Sequence, residues 1–418
     1  MKDKFIWDHH SDQPYQLKDS VYKKAMKKKH RKALWSLLAY NLLLFPIGLL
    51  STFFFKGKKQ PRERFFAMCV NLDKGEGQAE LVKELGCSNV QIRMPLADID
   101  KLQDYVQFTE TFSDCHLLIN ILQDRENIED QQLLTNNIRA IFTAFEGRTA
   151  LFQIGNAINR TKWGFFSVDE YLKFYQCVQG IRDAQFPEIE LVGPAVIDYE
   201  YHFTIRALFN RFSLKFDKLA ALLYVDRRGA PENTQTAIFD TSRKIDFLYA
   251  LCKLSPKSSS DILISEANWP LSGTAPWAPT SETECVSEED YANFMLRYYL
   301  LAFASEKVES VYWHQLIASG YGLIDAREGL RKRSAFFVFK TMLTHLQGSV
   351  VESYMHTAGN HTLICVKDDR KIEVLWNHRQ EQLYSRDEQC TAKRVLDKLG
   401  EPIQGDTTIG ASPIYILH

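Results

Sequence analysis

The stretch of the chain richest in chemistry is Ile264-Ser265-Glu266-Ala267-Asn268-Trp269, an apolar run that closes on one carboxylate and one indole. A carboxylate delivered by a buried run can act as a nucleophile or carry a proton. A second such end, Gln153-Ile154-Gly155-Asn156-Ala157-Ile158-Asn159, supplies amides, but Ala157 follows Asn156 where a second carboxylate would complete a pair. Other apolar runs also close on polar groups. These are Asn71 and Asp73, Arg93, Asp124, Arg160 with Trp163, Asp198, Tyr224 with Asp226, and Trp313-His314-Gln315. Indoles beside carboxylates and amides suit a sugar ring, because an aromatic face covers the apolar C–H face of a pyranose.

Such ends work together only if the runs are parallel strands with a common C-terminal rim. The strand-like runs lie at 65–72, 89–96, 116–123, 150–155, 189–197, 219–225, 261–266 and 310–316. Helical patterns fall between them near 77–86, 98–112, 129–146, 168–185, 202–212, 234–254 and 287–306, and a last one near 334–346. Near-continuous apolar strands separated by helices mean a parallel sheet covered on both faces. Eight repeats predict an α/β chain with a (β/α)8 TIM barrel over 64–347, whose active site lies at the strand C-termini. After Leu346 the texture changes to short alternating runs with turn pairs such as Gly359-Asn360 and Asp368-Asp369. That pattern predicts an antiparallel, sandwich-like β-domain over 348–418.

Residues 33–55 carry no charge and are long enough to cross a membrane. Their position and length, and the lack of a small-residue cleavage site, argue against a cleaved leader. Eight basic residues from Lys18 to Lys32 precede the run, and Lys56, Lys58, Lys59, Arg62 and Arg64 follow it. Pro46 and Gly48 leave a re-entrant hairpin open beside a simple span. Residues 1–32 read as a basic, polar cytoplasmic tail. The charge asymmetry weakly favours an outside barrel, whereas eight scattered cysteines with no CxxC pair favour a reducing compartment. The side of the membrane stays open.

A net charge of −1 argues against nucleic acid as a partner. No metal-ligand spacing, phosphate loop or Gly-x-Ser-x-Gly elbow is found, so neither metal nor cofactor is expected. His9-His10 in the polar tail is not read as a metal site.

Taken together, Ile-Arg on strand two, Gly-Asn-x-x-Asn on strand four, Tyr-Val-Asp-Arg-Arg-Gly at strand six, Ser-Glu-x-x-Trp on strand seven and Tyr-Trp on strand eight resemble glycoside hydrolase clan A. Their flavour is that of the β-xylosidase/iduronidase-like branch with its appended β-domain, over roughly 64–418. The resemblance implies Glu266 as nucleophile, Arg93 as its orienting arginine and Asn156 as the amide on the sugar 2-OH. It also implies Tyr224 as a phenol near the nucleophile and Trp313 as the floor of the sugar site, with Trp269 and Asn159 as further binding residues. The departures are Ala157, where the general acid belongs, and Leu222, where a His often precedes the Tyr. Three readings follow. Asp198 or Asp226 replaces the acid; the protein binds sugars without cleaving them; or it acts on substrates whose leaving group needs no acid. A membrane segment before such a barrel is more loosely similar to bacterial inner-membrane proteins of envelope polysaccharide or lipopolysaccharide loci.

Overall fold

The structure, a computed structural model, describes residues 5–384 and 394–418; Cys390 lies outside them. Eight apolar runs form parallel strands: β1 (Phe66–Val70), β2 (Asn89–Pro95), β3 (His116–Leu122), β4 (Leu151–Ile154), β5, β6 (Leu219–Leu222), β7 (Ile262–Ala267) and β8 (Val308–Trp313). Strand β5 comes in two pieces, Glu190–Val192 and Val196–Ile197, on either side of Gly193-Pro194. The first piece pairs with β4 and the second with β6. Val192 also bridges Lys218, and β1 pairs with both β2 and β8. The sheet therefore curls on itself, and the fold is TIM-barrel-like.

The strands are buried almost end to end because helices cover the outer face. In chain order the α-helices of eight residues or more are α1 (Ser20–Lys29), α2 (Arg31–Ser51), α3 (Gln78–Leu85), α4 (Leu102–Glu110), α5 (Gln131–Ala144), α6 (Val168–Gln185), α7 (Tyr201–Leu208), α8 (Thr241–Leu254), α9 (Glu288–Ala304) and α10 (Ser334–Leu346). Helix α8 starts later than the apolar pattern predicts. Asp240 caps it by accepting from the Arg243 backbone N–H, and the preceding stretch is a loop containing Pro231.

The C-terminal segment is antiparallel, as expected, with one large sheet and a small ribbon rather than two equal sheets. Strands β9 (Val350–Thr357), β10 (Asn360–Lys367), β11 (Arg370–Asn377), β12 (Arg394–Leu396) and β13 (Ile414–Leu417) form one antiparallel sheet in the order β9-β10-β11-β13-β12. A small ribbon pairs Gln382–Tyr384 with Thr407–Ile409. Helices α9 and α10 of the barrel cover the side bearing Leu363, Cys365, Val374 and Trp376, and the ribbon residues Tyr384 and Ile409 pack with Leu375, Ile414 and Ile416 on the other.

At the N-terminus the structure takes one of the two alternatives left open and adds a contact with the barrel. Helix α2 is one continuous helix through Pro46 and Gly48, not a hairpin. It is long and apolar enough to cross a membrane, with mean hydropathy 1.8, yet one face lies on α7 and α8. Phe45 stacks on Tyr201 with ring centroids 4.9 Å apart, and Asn41 donates to the His202 carbonyl at 3.0 Å. At Gly48 the helix comes so close that an added Cβ would sit 2.9 Å from Leu251. The opposite face leaves Trp35, Leu42, Leu43 and Leu50 exposed, and Phe53 and Phe54 in the turn just past the helix are exposed too. The segment before α1 is not a free tail. Trp7–Asp8 pairs with Gln13–Pro14, and this small hairpin lies across the barrel mouth with Ser11 and Asp12 buried.

Candidate active site at the strand ends

Glu266 lies on β7, whose six residues are all buried, and its side chain reaches the C-terminal end of the sheet. The Tyr224 hydroxyl, from the end of β6, donates to Oε1 of Glu266. Asn156, just past β4, donates from Nδ2 to Oε2 at 3.5 Å. The direction of that amide is set by its neighbours. Asn120 and Gln153 donate to its Oδ1, both at 3.3 Å, and Gln123 bonds both its backbone N–H and its carbonyl at 2.8 Å.

Burial pushes the Glu266 carboxyl up, but His314, Arg93 and the two hydrogen bonds outweigh it and hold it below the ordinary glutamate range. His314 is itself held down to about 4, chiefly by burial. Its charge therefore acts on Glu266 only near pH 4 and below, and the permanent counter-charge at physiological pH is Arg93. That guanidinium is buried, lies 5.8 Å from the Trp7 and Trp163 ring centroids, and has two nitrogens without partners among the described residues.

A cavity of about 260 Å³ opens beside these groups, lined by Arg93, Asn156, Trp163, Asp198, Tyr224 and Glu266 among others. Asp198 sits at its rim, in an ion pair of 2.7 Å with Arg160. Four other residues read from the sequence lie elsewhere. Asp226 is exposed and does not line this cavity. Asn159 is used up as a clamp, donating to the Ile197 carbonyl and to Glu200 and accepting from the Ile197 backbone N–H. Trp269 and Trp313 are 1 % and 0 % exposed, and their rings pack on each other 5.9 Å apart. Their N–H groups are satisfied by the Gly229 carbonyl and the Tyr291 hydroxyl, so neither offers a face to a ligand. The indole that faces the cleft is Trp163.

Ala157 follows Asn156 with φ +44° and no exposed surface. Sequence reasoning missed Trp7, Ser11, Asp12 and Gln13, which enter the mouth from the N-terminal hairpin, and Lys74, which holds Asp12. No periodicity marks such a segment, since it belongs to no strand end. A histidine cluster was missed as well: His356, His361 and His378, on β9, β10 and just past β11, bring ligand atoms within 4.8 Å of one another. His361 already bonds Tyr354 and His378, each at 2.8 Å, and is stacked between His356 and Trp376.

Solved structures share this architecture. A family 39 glycoside hydrolase from the gut symbiont Bacteroides cellulosilyticus WH2 aligns with a TM-score of 0.67 at 13% identity, over 86% of this chain and 81% of its own. A family 39 β-xylosidase from Caulobacter crescentus aligns with a TM-score of 0.59 at 10% identity, over 87% and 97%. A family 30 endoxylanase from Clostridium papyrosolvens C71 aligns with a TM-score of 0.56 at 10% identity, over 86% and 97%. The likeness is one of fold. No family model matches the chain, and no curated protein matches it.

Proposed function

We propose that the protein is a membrane-associated glycoside hydrolase-like protein that acts on glycans of the bacterial cell envelope, polysaccharide or lipopolysaccharide, with Glu266 as its nucleophile. The observation that carries this reading is the convergence of Glu266, Arg93, Asn156 and Tyr224 on one cavity floored by strand ends. Two features favour an envelope glycan: the exposed apolar face of α2, and the basic residues on either side of it.

In this scheme an ionised Glu266 oxygen attacks the anomeric carbon, and the bond to the leaving oxygen breaks with its electron pair. Arg93 keeps the carboxylate charged, and the Asn156 amide holds it in place. A retaining hydrolase needs a second carboxyl about 5–5.5 Å from the first to protonate the leaving oxygen. Ala157 cannot supply one. Asp198 is at the cavity rim, but its carboxylate is engaged by Arg160 at 2.7 Å and would have to leave that partner to serve. Asp226 would have to move into the cavity to serve. The reaction should therefore be limited to leaving groups that depart unprotonated.

The missing acid and the occupied mouth favour a second reading, a carbohydrate-binding or assembly protein on the same scaffold. A panel of nitrophenyl glycosides decides between them. A hydrolase releases nitrophenolate, is rescued by azide, which attacks without a base, and loses both signals in Glu266→Gln. Fast cleavage indifferent to Glu266→Gln would place the chemistry on other carboxyls. No release from any glycoside would leave the binding reading.

A further inference from the structure

The groups that hold Asp12 look like a binding site already filled. Its carboxylate is buried at the bottom of the N-terminal hairpin, where the residue has φ +50°. Lys74 bonds one oxygen at 2.9 Å and lies 2.8 Å from the other. Gln315 Nε2 and the Tyr321 hydroxyl both donate to Oδ2, at 2.8 and 2.9 Å, and Arg93 donates to the Asp12 carbonyl at 3.1 Å. These donors belong to the barrel. They come from the loop after β1, from β2, and from the loop after β8.

We propose that this cradle is an anion subsite of the cleft, that it takes the acidic group of a negatively charged sugar ligand, and that residues 7–16 occupy it as an intramolecular competitor. The inference rests on the glycan reading of the mouth and adds a ligand class to it.

Three further observations support it. Arg93 keeps two buried nitrogens unpartnered among the described residues even with Asp12 in place, so the site has donors to spare for a larger anion. With the hairpin withdrawn, Lys74 would keep only the largely exposed Asp73, at 3.1 Å, and the buried Gln315, Tyr321 and Arg93 donors would lose the acceptor residue they share, a cost that an incoming anion would offset. The hairpin also covers Trp163: Trp7 meets it edge-on, with ring centroids 5.8 Å apart. A ligand that displaced the segment would gain an indole face and an anion cradle together, which suits a sugar ring bearing a charge. The segment can leave as a unit, since its two-pair ladder is internal to the hairpin and side-chain bonds, such as Lys162 to Gln13 at 2.5 Å, hold it to the barrel.

The test uses the full chain in detergent and a Ser11→Cys variant, in which the thiol is shielded while the hairpin is seated. Its alkylation is read by peptide mass in the presence of methyl β-D-glucuronide, glucose 6-phosphate or methyl β-D-glucoside. The charged sugars, or one of them, should speed labelling at least tenfold while the neutral glucoside does not. Lys74→Met should remove the response. Which charged sugar acts tells carboxylate from phosphate. In calorimetry the isosteric Asp12→Asn should bind that sugar at least tenfold more tightly than the parent chain. Equal labelling with all three sugars or with none, or equal affinity of Asp12→Asn and the parent, overturns the proposal. The two claims fail separately. Glu266-dependent release from neutral glycosides without displacement by acidic sugars leaves the hydrolase reading standing. Displacement without any release leaves the subsite standing on a binding protein.

Discussion

Glu266 is a buried carboxylate kept charged by a guanidinium, a phenol and an amide, and its pH behaviour follows from that. Attack on activated glycosides needs the ionised form, and the folded group ionises below the ordinary value of 4.5. With Glu266 as the proposed nucleophile, the rate of the first step should fall on the acid side with a midpoint below 4.5, as pre-steady-state nitrophenolate release would report. His314 runs on stability instead. Its folded value of about 4 lies below its unfolded 6.5, so the unfolded chain takes up the proton first. Stability should fall as pH drops from 6.5 to 4 and level off beneath, by about 3 kcal/mol. Unfolding of His314→Gln compared with the parent across that window should show a smaller loss. The two indoles behind the cleft separate packing from binding. Trp313→Ala should cost about 3–5 kcal/mol of stability, as a deleted core aromatic does. Its melting temperature should drop far more than any sugar affinity changes.

At the scale of elements, α2 has two faces with different partners. Its inner face carries Phe45 against Tyr201 and Phe247, and Gly48 against Leu251. Phe45→Ala should lower barrel stability by about 2 kcal/mol, less than a fully buried Phe would, and denaturant unfolding would measure it. The helix was legible as an apolar run; its docking was not. A run that is apolar on all sides carries no moment to say which side meets protein. The barrel strands were readable for the opposite reason. Each is a short apolar run bounded by turns, and the polar residue ending it marks the rim, which is how Glu266, Arg93, Asn156 and Tyr224 could be placed together. The same rule put Trp269, Trp313 and Asn159 at the rim without saying which way each side chain turns. Trp269 and Trp313 turn into the packing under α9, and Asn159 turns into the loop after β5. The C-terminal strands were legible from alternation. Their single-sheet packing depends on barrel helices that alternation cannot announce.

Across the whole molecule, the outer face of α2 and the mouth are joined by a short stretch of chain. Leu42, Leu43, Leu50, Phe53 and Phe54 face away from the barrel. Lys24, Lys27, Lys28 and Arg31 stand near the helix start. Apolar and basic groups so arranged should bind anionic vesicles more tightly than neutral ones. Flotation with phosphatidylglycerol-containing and phosphatidylcholine vesicles would measure this, and Leu42→Gln with Leu43→Gln should weaken both while leaving the barrel folded. Equal binding of parent and variant would place the lipid contact elsewhere.

The seated hairpin also has a consequence for how the cleft responds to concentration. Seven residues separate Asp12 from the start of α1, which is itself joined to a helix packed on the barrel. A group on so short a tether competes at an effective concentration of the order of millimolar. A free ligand entering the mouth binds only the fraction of molecules whose hairpin has left. Its apparent dissociation constant is the intrinsic one divided by that fraction. Each 1.4 kcal/mol by which the hairpin prefers its seat raises the half-saturating dose about tenfold. The strength of the side-chain bonds that seat the hairpin, those to the Asp12 carboxylate above all, thus sets a threshold: the cleft stays silent to dilute ligand and answers only where ligand is locally abundant.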